Sequence, residues 1–219
     1  MVGARQRVQD AGLLDALTGA LVDAVPEGVG LVVDAGGGTG HHLAAVLGAR
    51  PEASGVVLDT AKPTLRRAAR AHPRLLAAAA DSSGRWPLQD GAADAVLVVF
   101  APRNAGEMAR VLRPGGLAVV ATPQPEHLAE LVAPMGMLAV DPDKPDRLAA
   151  AMGEGFALAG EASVAAAARI SRAQAVDVAL MGPAGFHTDT ATLEQRAASL
   201  PPQLTVTVAV RVSRWALRG

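Results

Sequence analysis

The 219-residue chain has no cysteine, which excludes a disulfide framework, a thiolate zinc site and a cysteine nucleophile at once. Tyrosine is absent too, and three Phe and two Trp are the whole aromatic complement. That is little for the stacking platforms on which single-stranded bases are usually held. No uncharged apolar run reaches the length that spans a bilayer. The opening MVGARQRVQDAG lacks a basic segment followed by an apolar core and a small-residue cleavage site, so a soluble cytoplasmic protein with no membrane partner is expected. Neither sign of charge is in excess. With 20 Lys plus Arg against 21 Asp plus Glu the net charge is -1, which is not the global footprint of a nucleic-acid binder but leaves room for a local basic patch.

What the chain does have is apolar content: half its residues are hydrophobic, enough for one sizeable core and a single domain over residues 1–219. Five short apolar runs read as strands buried on both faces: GLVVD (30–34), GVVLD (55–59), LLAAAA (75–80), DAVLVVF (94–100) and GLAVVAT (116–122). Between them, Leu43, Val46 and Leu47; Leu65, Ala68 and Ala69; Met108, Val111 and Leu112; and Leu128, Leu131 and Val132 recur at helical spacing. Strand and helix alternate, so an α/β fold with a mostly parallel sheet is expected. Residues 1–28 read as a helical lead-in, 29–140 as a ligand-binding core and 141–219 as a C-terminal, acceptor-side part. RVLRPGG predicts a helix running through Arg113 and stopped by Pro114. LTVTVAVRVSRWAL (204–217) alternates polar and apolar residues like an antiparallel edge strand, expected beside residues 156–164.

The stretch LVVDAGGGTGHHL joins the first strand to the first core helix through Asp34, Gly36, Gly38 and Gly40. Glycines let a main chain turn tightly and approach a ligand with no Cβ in the way, at the carboxyl end of a strand where doubly wound sheets bind ligands. A dinucleotide fingerprint has the spacing G-x-G-x-x-G and meets a diphosphate. Here the spacing is G-x-G-x-G behind an acid that repels a diphosphate but suits a cationic amino-acid group, which points to S-adenosylmethionine rather than NAD.

Two further acids fit that cofactor. Asp59, followed by Thr60, ends the second strand 19 positions after Gly40, where a carboxylate can accept ribose hydroxyls; a helix cap is the plainer role. Asp81, followed by Ser82, could take an adenine amino group, or close an Asx turn with Ser83. Asp94 stands at the wrong end of its strand and reads as structural. The segment Phe100, Ala101 and Pro102 should end beside the methyl donor.

These motifs resemble class I S-adenosylmethionine-dependent methyltransferases over residues 30–122. VVFAPRNAGEMARVLRPGGLAVVATPQPEHLAEL, MGPAGFHT (181–188) and the leading ARQRVQDAG are similar to the 23S rRNA guanine-N1 methyltransferases, which include macrolide-resistance methylases. The resemblance implies a Rossmann-like seven-stranded class I methyltransferase fold, mostly parallel with an antiparallel C-terminal strand, and an acceptor guanine in an rRNA hairpin. It implies a role in rRNA processing and antibiotic resistance. It places Asp34, Gly36, Gly38, Gly40, Asp59, Thr60, Asp81, Ser82, Phe100 and Ala101 at the cofactor, and Phe100, Pro102, Asn104 and His127 at the acceptor.

The chain departs from that pattern in three places. It carries no four-cysteine zinc ribbon. GGGTGHH replaces groups expected at the donor, and DAGLLDAL lacks a His-Tyr pair. The departures motivate two other readings: a small-molecule or peptide methyltransferase of secondary metabolism, and a non-catalytic cofactor-binding homologue. A homodimer is left open.

Methyl transfer needs alignment more than a covalent nucleophile, and His127, Glu107 and Asp10 are candidate proton acceptors for a guanine N1. No metal is expected, because adjacent His41 and His42 lack the i, i+4 spacing of paired ligands. They read as polar residues of the first helical turn, with one lining the mouth; His72 reads as a surface turn, and His187 as a pocket or loop residue. Trp86 could cover the adenine or plug the sheet end. Arg66, Arg67, Arg70 and Arg74 could meet phosphates or form a solvated face.

Overall fold

The computed structural model describes residues 2–141, 144–182, 185 and 187–218. Pro183, Ala184 and Phe186 of the MGPAGFHT motif lie outside the described residues, as do Pro142 and Asp143. The elements in chain order are α1 (Val2–Asp10), α2 (Asp15–Ala24), β1 (Leu31–Ala35), α3 (His41–Ala49), β2 (Ser54–Asp59), α4 (Lys62–Ala71), β3 (Leu75–Ala79), β4 (Ala93–Val99), α5 (Ala105–Val111), β5 (Leu112–Pro123), α6 (Ala129–Met135), α7 (Lys144–Met152), β6 (Phe156–Ser171), α8 (Arg172–Met181), α9 (Thr190–Ala198) and β7 (Gln203–Leu217). No described helix is long and apolar enough to cross a membrane.

The strands form one seven-stranded sheet in the order β3-β2-β1-β4-β5-β7-β6, mostly parallel with an antiparallel C-terminal strand. β1 pairs in parallel with β2 on one side and β4 on the other, with Asp34 opposite Val57 and Leu97. The direction of strand progression therefore reverses at β1, the switch point outside which ligands bind in such sheets. Parallel strands covered on both faces must be apolar throughout, and β1 and β4 are buried along almost their whole length. At the edge, β3 buries only Leu75 fully and leaves Leu76 71% exposed, which is why its alanine-rich sequence carries a weak strand signal.

The chain divides into two compact units. The larger comprises Thr18–Thr122, Asp143–Ala162 and Arg211–Gly219. Its core includes Val33, Leu58, Val96, Met108, Val120 and Trp215, each contributing about 1.5–3 kcal/mol by leaving water. Helix α3 buries Leu43, Val46 and Leu47 as their spacing predicts. It packs so tightly on β2 that a Cβ at Gly55 would stand 2.8 Å from Leu43. Helix α4 buries Thr64 and Ala68, while Ala69, expected on the packed face, is exposed.

The smaller unit comprises Met1–Leu17, Pro123–Pro142 and Ser163–Val210. In it, Arg7 of α1 makes a two-pronged ion pair with Asp177 of α8 at 2.5 and 2.8 Å, and a capping box of Ser171 and Gln174 starts α8.

Two sequence expectations are corrected. Helix α5 ends at Val111, not Arg113, because Leu112 already lies opposite Ala93 in the β4–β5 ladder. Arg113 ion-pairs with Asp94, whose Oδ2 accepts the Gly30 and Leu31 N–H groups, so Asp94 is structural as its position suggests. The C-terminal strand β7 lies beside β6 as expected, but β6 is the edge and β7 is internal. Val206, Val208, Val210 and Val212 of β7 are buried, and alternation alone does not tell an edge strand from its neighbour.

Candidate active site

The bend after β1 is built on main-chain hydrogen bonds to the next strand. The N–H groups of Gly36 and Gly37 donate to the Leu58 carbonyl at 2.8 and 3.3 Å, pinning the loop to the end of β2. Gly36, Gly38 and Gly40 have φ of 72°, 59° and 76°, the left-handed region that only glycine occupies without strain. Gly36 is also a point of close approach, since a Cβ there would lie 2.7 Å from the Cβ of Ala101.

Asp34 is 1% exposed, and neither carboxylate oxygen has a hydrogen-bond partner among the described residues. Burial first, and repulsion from Asp59 second, push its pKa up to about 7. A buried charge without a partner is costly. A cationic hydrogen-bond donor is the chemistry that would relieve it, and S-adenosylmethionine carries one in its amino-acid group. The donor set thus fits that cofactor, and repels one with a diphosphate.

Asp59, at the carboxyl end of β2, accepts the Gly38 N–H at 3.1 Å through Oδ2 and the Ala61 N–H at 2.8 Å through Oδ1. The Ala61 bond closes an Asx turn ahead of α4, whose N-cap is Ala61 with no side-chain cap hydrogen bond, so the helix-cap reading is corrected to a turn that ties the glycine loop to the start of α4. Each oxygen keeps a second lone pair, and the side chain is half-buried beside exposed Thr60, so it remains able to accept ribose hydroxyls.

Asp81 is exposed and accepts from the Ser83 N–H and Oγ at 2.8 and 2.7 Å. This is the Asx turn, and it lowers the Asp81 pKa chiefly through the Ser83 hydroxyl. Ser82 presents its carbonyl to Trp86 Nε1 at 3.1 Å. Trp86 is 2% exposed and belongs to the core, so the sheet-plug reading stands and no ring face is left to cover an adenine.

The loop after β4 is strained. Phe100 has φ 54° and is 43% exposed, a conformation costing about 1–3 kcal/mol for a residue with a Cβ. Its N–H donates to the Ala121 carbonyl at 3.2 Å. Exposed Pro102 and half-buried Arg103 follow, with desolvation lowering the Arg103 pKa. Asn104 caps α5 by accepting the Glu107 N–H at 3.2 Å and donates to the carbonyls of Ser83 and Gly84 at 2.9 and 3.0 Å. Its amide therefore stitches the Asp81 turn to the β4–α5 loop.

Two of the three candidate proton acceptors are tied up. Glu107 binds Arg110 at 2.6 Å and the Trp86 N–H at 2.7 Å, and its pKa falls to about 2, first through the Arg110 hydrogen bond. His127, in the smaller unit, accepts the Ala209 N–H at Nδ1 at 3.3 Å. In the neutral ring this leaves the proton on Nε2, which makes that nitrogen a donor rather than a base. Asp10 is exposed at the end of α1.

His41 and His42 open α3, but His42 is 7% exposed with Nδ1 3.0 Å from the Thr18 hydroxyl, which leaves half-buried His41 the nearer to solvent. His72 turns the chain, its Nδ1 accepting the Arg74 N–H, and His187 is exposed. Arg74 is corrected from the basic run, because its guanidinium is spent on the carbonyls of Leu47, Arg50 and Ala53.

A family model described as "Methyltransferase domain" matches residues 32–116, the span from the glycine bend to β5. A Streptomyces fradiae protein named "23S rRNA (guanine(748)-N(1))-methyltransferase" is 45% identical over 215 residues, covering 96% of this chain and 77% of that one. A Micromonospora griseorubida protein named "Putative 23S rRNA (guanine-N(1)-)-methyltransferase" is 46% identical over 232 residues, covering 98% and 79%.

The chain belongs to the 23S rRNA (guanine-N1)-methyltransferase family. Like other members of this methyltransferase family, it uses S-adenosylmethionine. A Geobacter sulfurreducens S-adenosylmethionine-dependent methyltransferase solved with S-adenosyl-L-homocysteine shares the fold. Its TM-score is 0.57 at 18% identity, covering 92% of this chain and 90% of that one. The fold alone does not fix the reaction. The [4+2]-cyclase SpnF has a TM-score of 0.61 at 16% identity, covering 93% and 81%.

In this methyltransferase the feature that sequence reasoning passed over is Gly37. Its φ is not in the left-handed region, yet any Cβ there would overlap the Asp34 carboxylate. The third glycine of the GGG run was the available signal. The strain at Phe100 left no signal in the sequence.

Proposed function

We propose that this chain transfers a methyl group from S-adenosylmethionine to N1 of a guanine in a 23S rRNA hairpin, the guanine-748 position named for the Streptomyces fradiae relative. The observation that carries the reading is identity of 45–46% along nearly the full chain to two relatives so named. When bound, S-adenosylmethionine supplies an electrophilic methyl on a sulfonium.

Asp34, Gly36, Gly38 and Gly40 would hold its amino-acid end, with the Asp34 carboxylate available to its ammonium group. Asp59 and Thr60 hold the ribose, Asp81 and Ser82 the adenine edge, and Ala101 closes the bend over Gly36. Phe100, Pro102 and Asn104 shape the acceptor side. As the N1–methyl bond forms the sulfonium–methyl bond breaks, S-adenosyl-L-homocysteine leaves and the N1 proton passes to solvent, so alignment within near-attack distance is the main contribution asked of the protein. A methyl at N1 blocks the Watson–Crick edge, the chemical change behind the macrolide-resistance role that the family resemblance implies.

The test is incubation with labelled S-adenosylmethionine and a 23S hairpin fragment, followed by primer extension. The reading expects label in RNA and a reverse-transcription stop at one loop guanine. Label appearing only in a small metabolite or peptide, or in nothing, overturns it.

A further inference from the structure

Several arginines are consumed by the fold. Arg50 and Arg74 donate to carbonyls, Arg110 pairs with Glu107 and Asp90, Arg113 with Asp94, and Arg172 and Arg196 donate to Leu200 and Met135. Helix α4 (KPTLRRAARA) is different: it has no acidic residue, and Lys62, Arg66, Arg67 and Arg70 are all exposed. None of the four enters an ion pair among the described residues. Lys62, Arg66 and Arg70 stand at i, i+4 and i+8, one stripe along the helix, with Arg67 on its flank. Like charges at i, i+4 repel and destabilise a helix, and of the four only Arg70, in the last turn, is favoured by the helix dipole. Successive cations are about 6 Å apart along the axis, a step that consecutive phosphates of a nucleic-acid strand can follow. The stripe begins three positions after Asp59.

We propose that the outer face of α4 docks the phosphate backbone of the RNA substrate, with Lys62, Arg66 and Arg70 as its contacts. The chain as a whole carries net charge -1, so affinity for a polyanion has to come from a local patch, and this helix concentrates four of the 20 Lys and Arg in 10 residues. Phosphate contacts fix register and orientation on the nucleic acid without reading sequence. The surface therefore positions the hairpin, while the choice of base belongs to the acceptor pocket. This inference rests on the RNA reading of the acceptor given above.

The experiment compares full-length wild type with the triple variant Lys62→Gln, Arg66→Gln and Arg70→Gln, which keeps good helix formers at all three positions. A second triple, Arg169→Gln, Arg214→Gln and Arg218→Gln, makes the same charge change on exposed residues elsewhere. Anisotropy titrations of a 23S hairpin fragment are run across a salt series, with calorimetric titration of S-adenosyl-L-homocysteine as the measure of an intact fold. The α4 triple is expected to bind the hairpin at least about tenfold more weakly at 0.1 M salt and to flatten the log-affinity against log-salt slope by about 2 to 3. Its affinity for S-adenosyl-L-homocysteine should equal that of the wild type, and the second triple should keep the wild-type slope. If the wild type binds the hairpin and the α4 triple matches it, or if both triples weaken binding equally, the docking surface is wrong and the RNA reading stands. If the wild type binds S-adenosyl-L-homocysteine but not the hairpin, both fall together.

Discussion

The carboxylate of Asp34 occupies the space in which a side chain at position 37 would begin. The glycine bend is thus shaped by an acid folded back beneath it as well as by its own left-handed turns. Gly37→Ala must displace Asp34 or lift the loop off Leu58, to which the Gly37 N–H donates at 3.3 Å. Overpacking of this kind costs about 1–3 kcal/mol. The expected result is a lower melting temperature together with at least about tenfold weaker S-adenosyl-L-homocysteine binding, read by calorimetry. Wild-type affinity in this variant would show that the acid is not part of the site.

With Asp34 at the cofactor as proposed, binding is expected to depend on pH. With its pKa raised to about 7 in the free protein, Asp34 is half protonated near neutrality, and a cationic ligand selects the ionised form. Affinity for S-adenosylmethionine is expected to fall roughly tenfold from pH 8 to pH 6. Asp34→Asn should bind weakly at both pH values.

Stability moves the other way. Between pH about 4 and about 7 the folded state holds a proton that the unfolded chain has released, so the ligand-free protein loses stability as pH rises through that window. Asp34→Asn should abolish this loss and melt higher than wild type at pH 8. A pH-independent affinity in the wild type contradicts the assignment.

Phe100 holds a conformation with φ 54° that glycine adopts freely. Phe100→Gly is expected to keep or raise the melting temperature, because strain is removed, and to lower kcat, because the exposed aromatic proposed to shape the acceptor side is lost. Unchanged turnover would make the strain incidental.

Glu107 joins α5 to the Trp86 loop through Arg110 and the Trp86 N–H. Its pKa is depressed to about 2 in the fold, so its contribution is present above the unfolded value, near 4.5, and is lost as pH falls through about 2. Glu107→Gln should lower the melting temperature at pH 7 by several degrees, with the difference from wild type closing in acid. A loss of turnover without loss of stability would instead restore Glu107 as a proton acceptor.

What the sequence discloses here follows residue type. The acid-led glycine spacing, the apolar strands and the helical stripes of Leu43 or Met108 depend on local chemistry and stand in the fold where their patterns put them. Partner choice between distant residues is not local. Nothing in the run Arg66, Arg67, Arg70, Arg74 marks Arg74 as the one captured by three carbonyls more than 20 positions away. Alternation in β6 and β7 is equally unable to say which becomes the edge. Glu107 likewise reads as a free carboxylate until the Arg110 guanidinium is placed beside it.

The claim on which the account turns is that the bend after β1 and the acid ending β2 hold the cofactor together. Calorimetric titration of S-adenosyl-L-homocysteine into wild type and Asp59→Ala at pH 8 measures it directly. Asp59 couples the Gly38 loop to the Ala61 N–H, and on the proposed reading its remaining lone pairs take the ribose, so the variant is predicted to bind about 1–3 kcal/mol more weakly. Equal affinity in the two proteins would contradict the account.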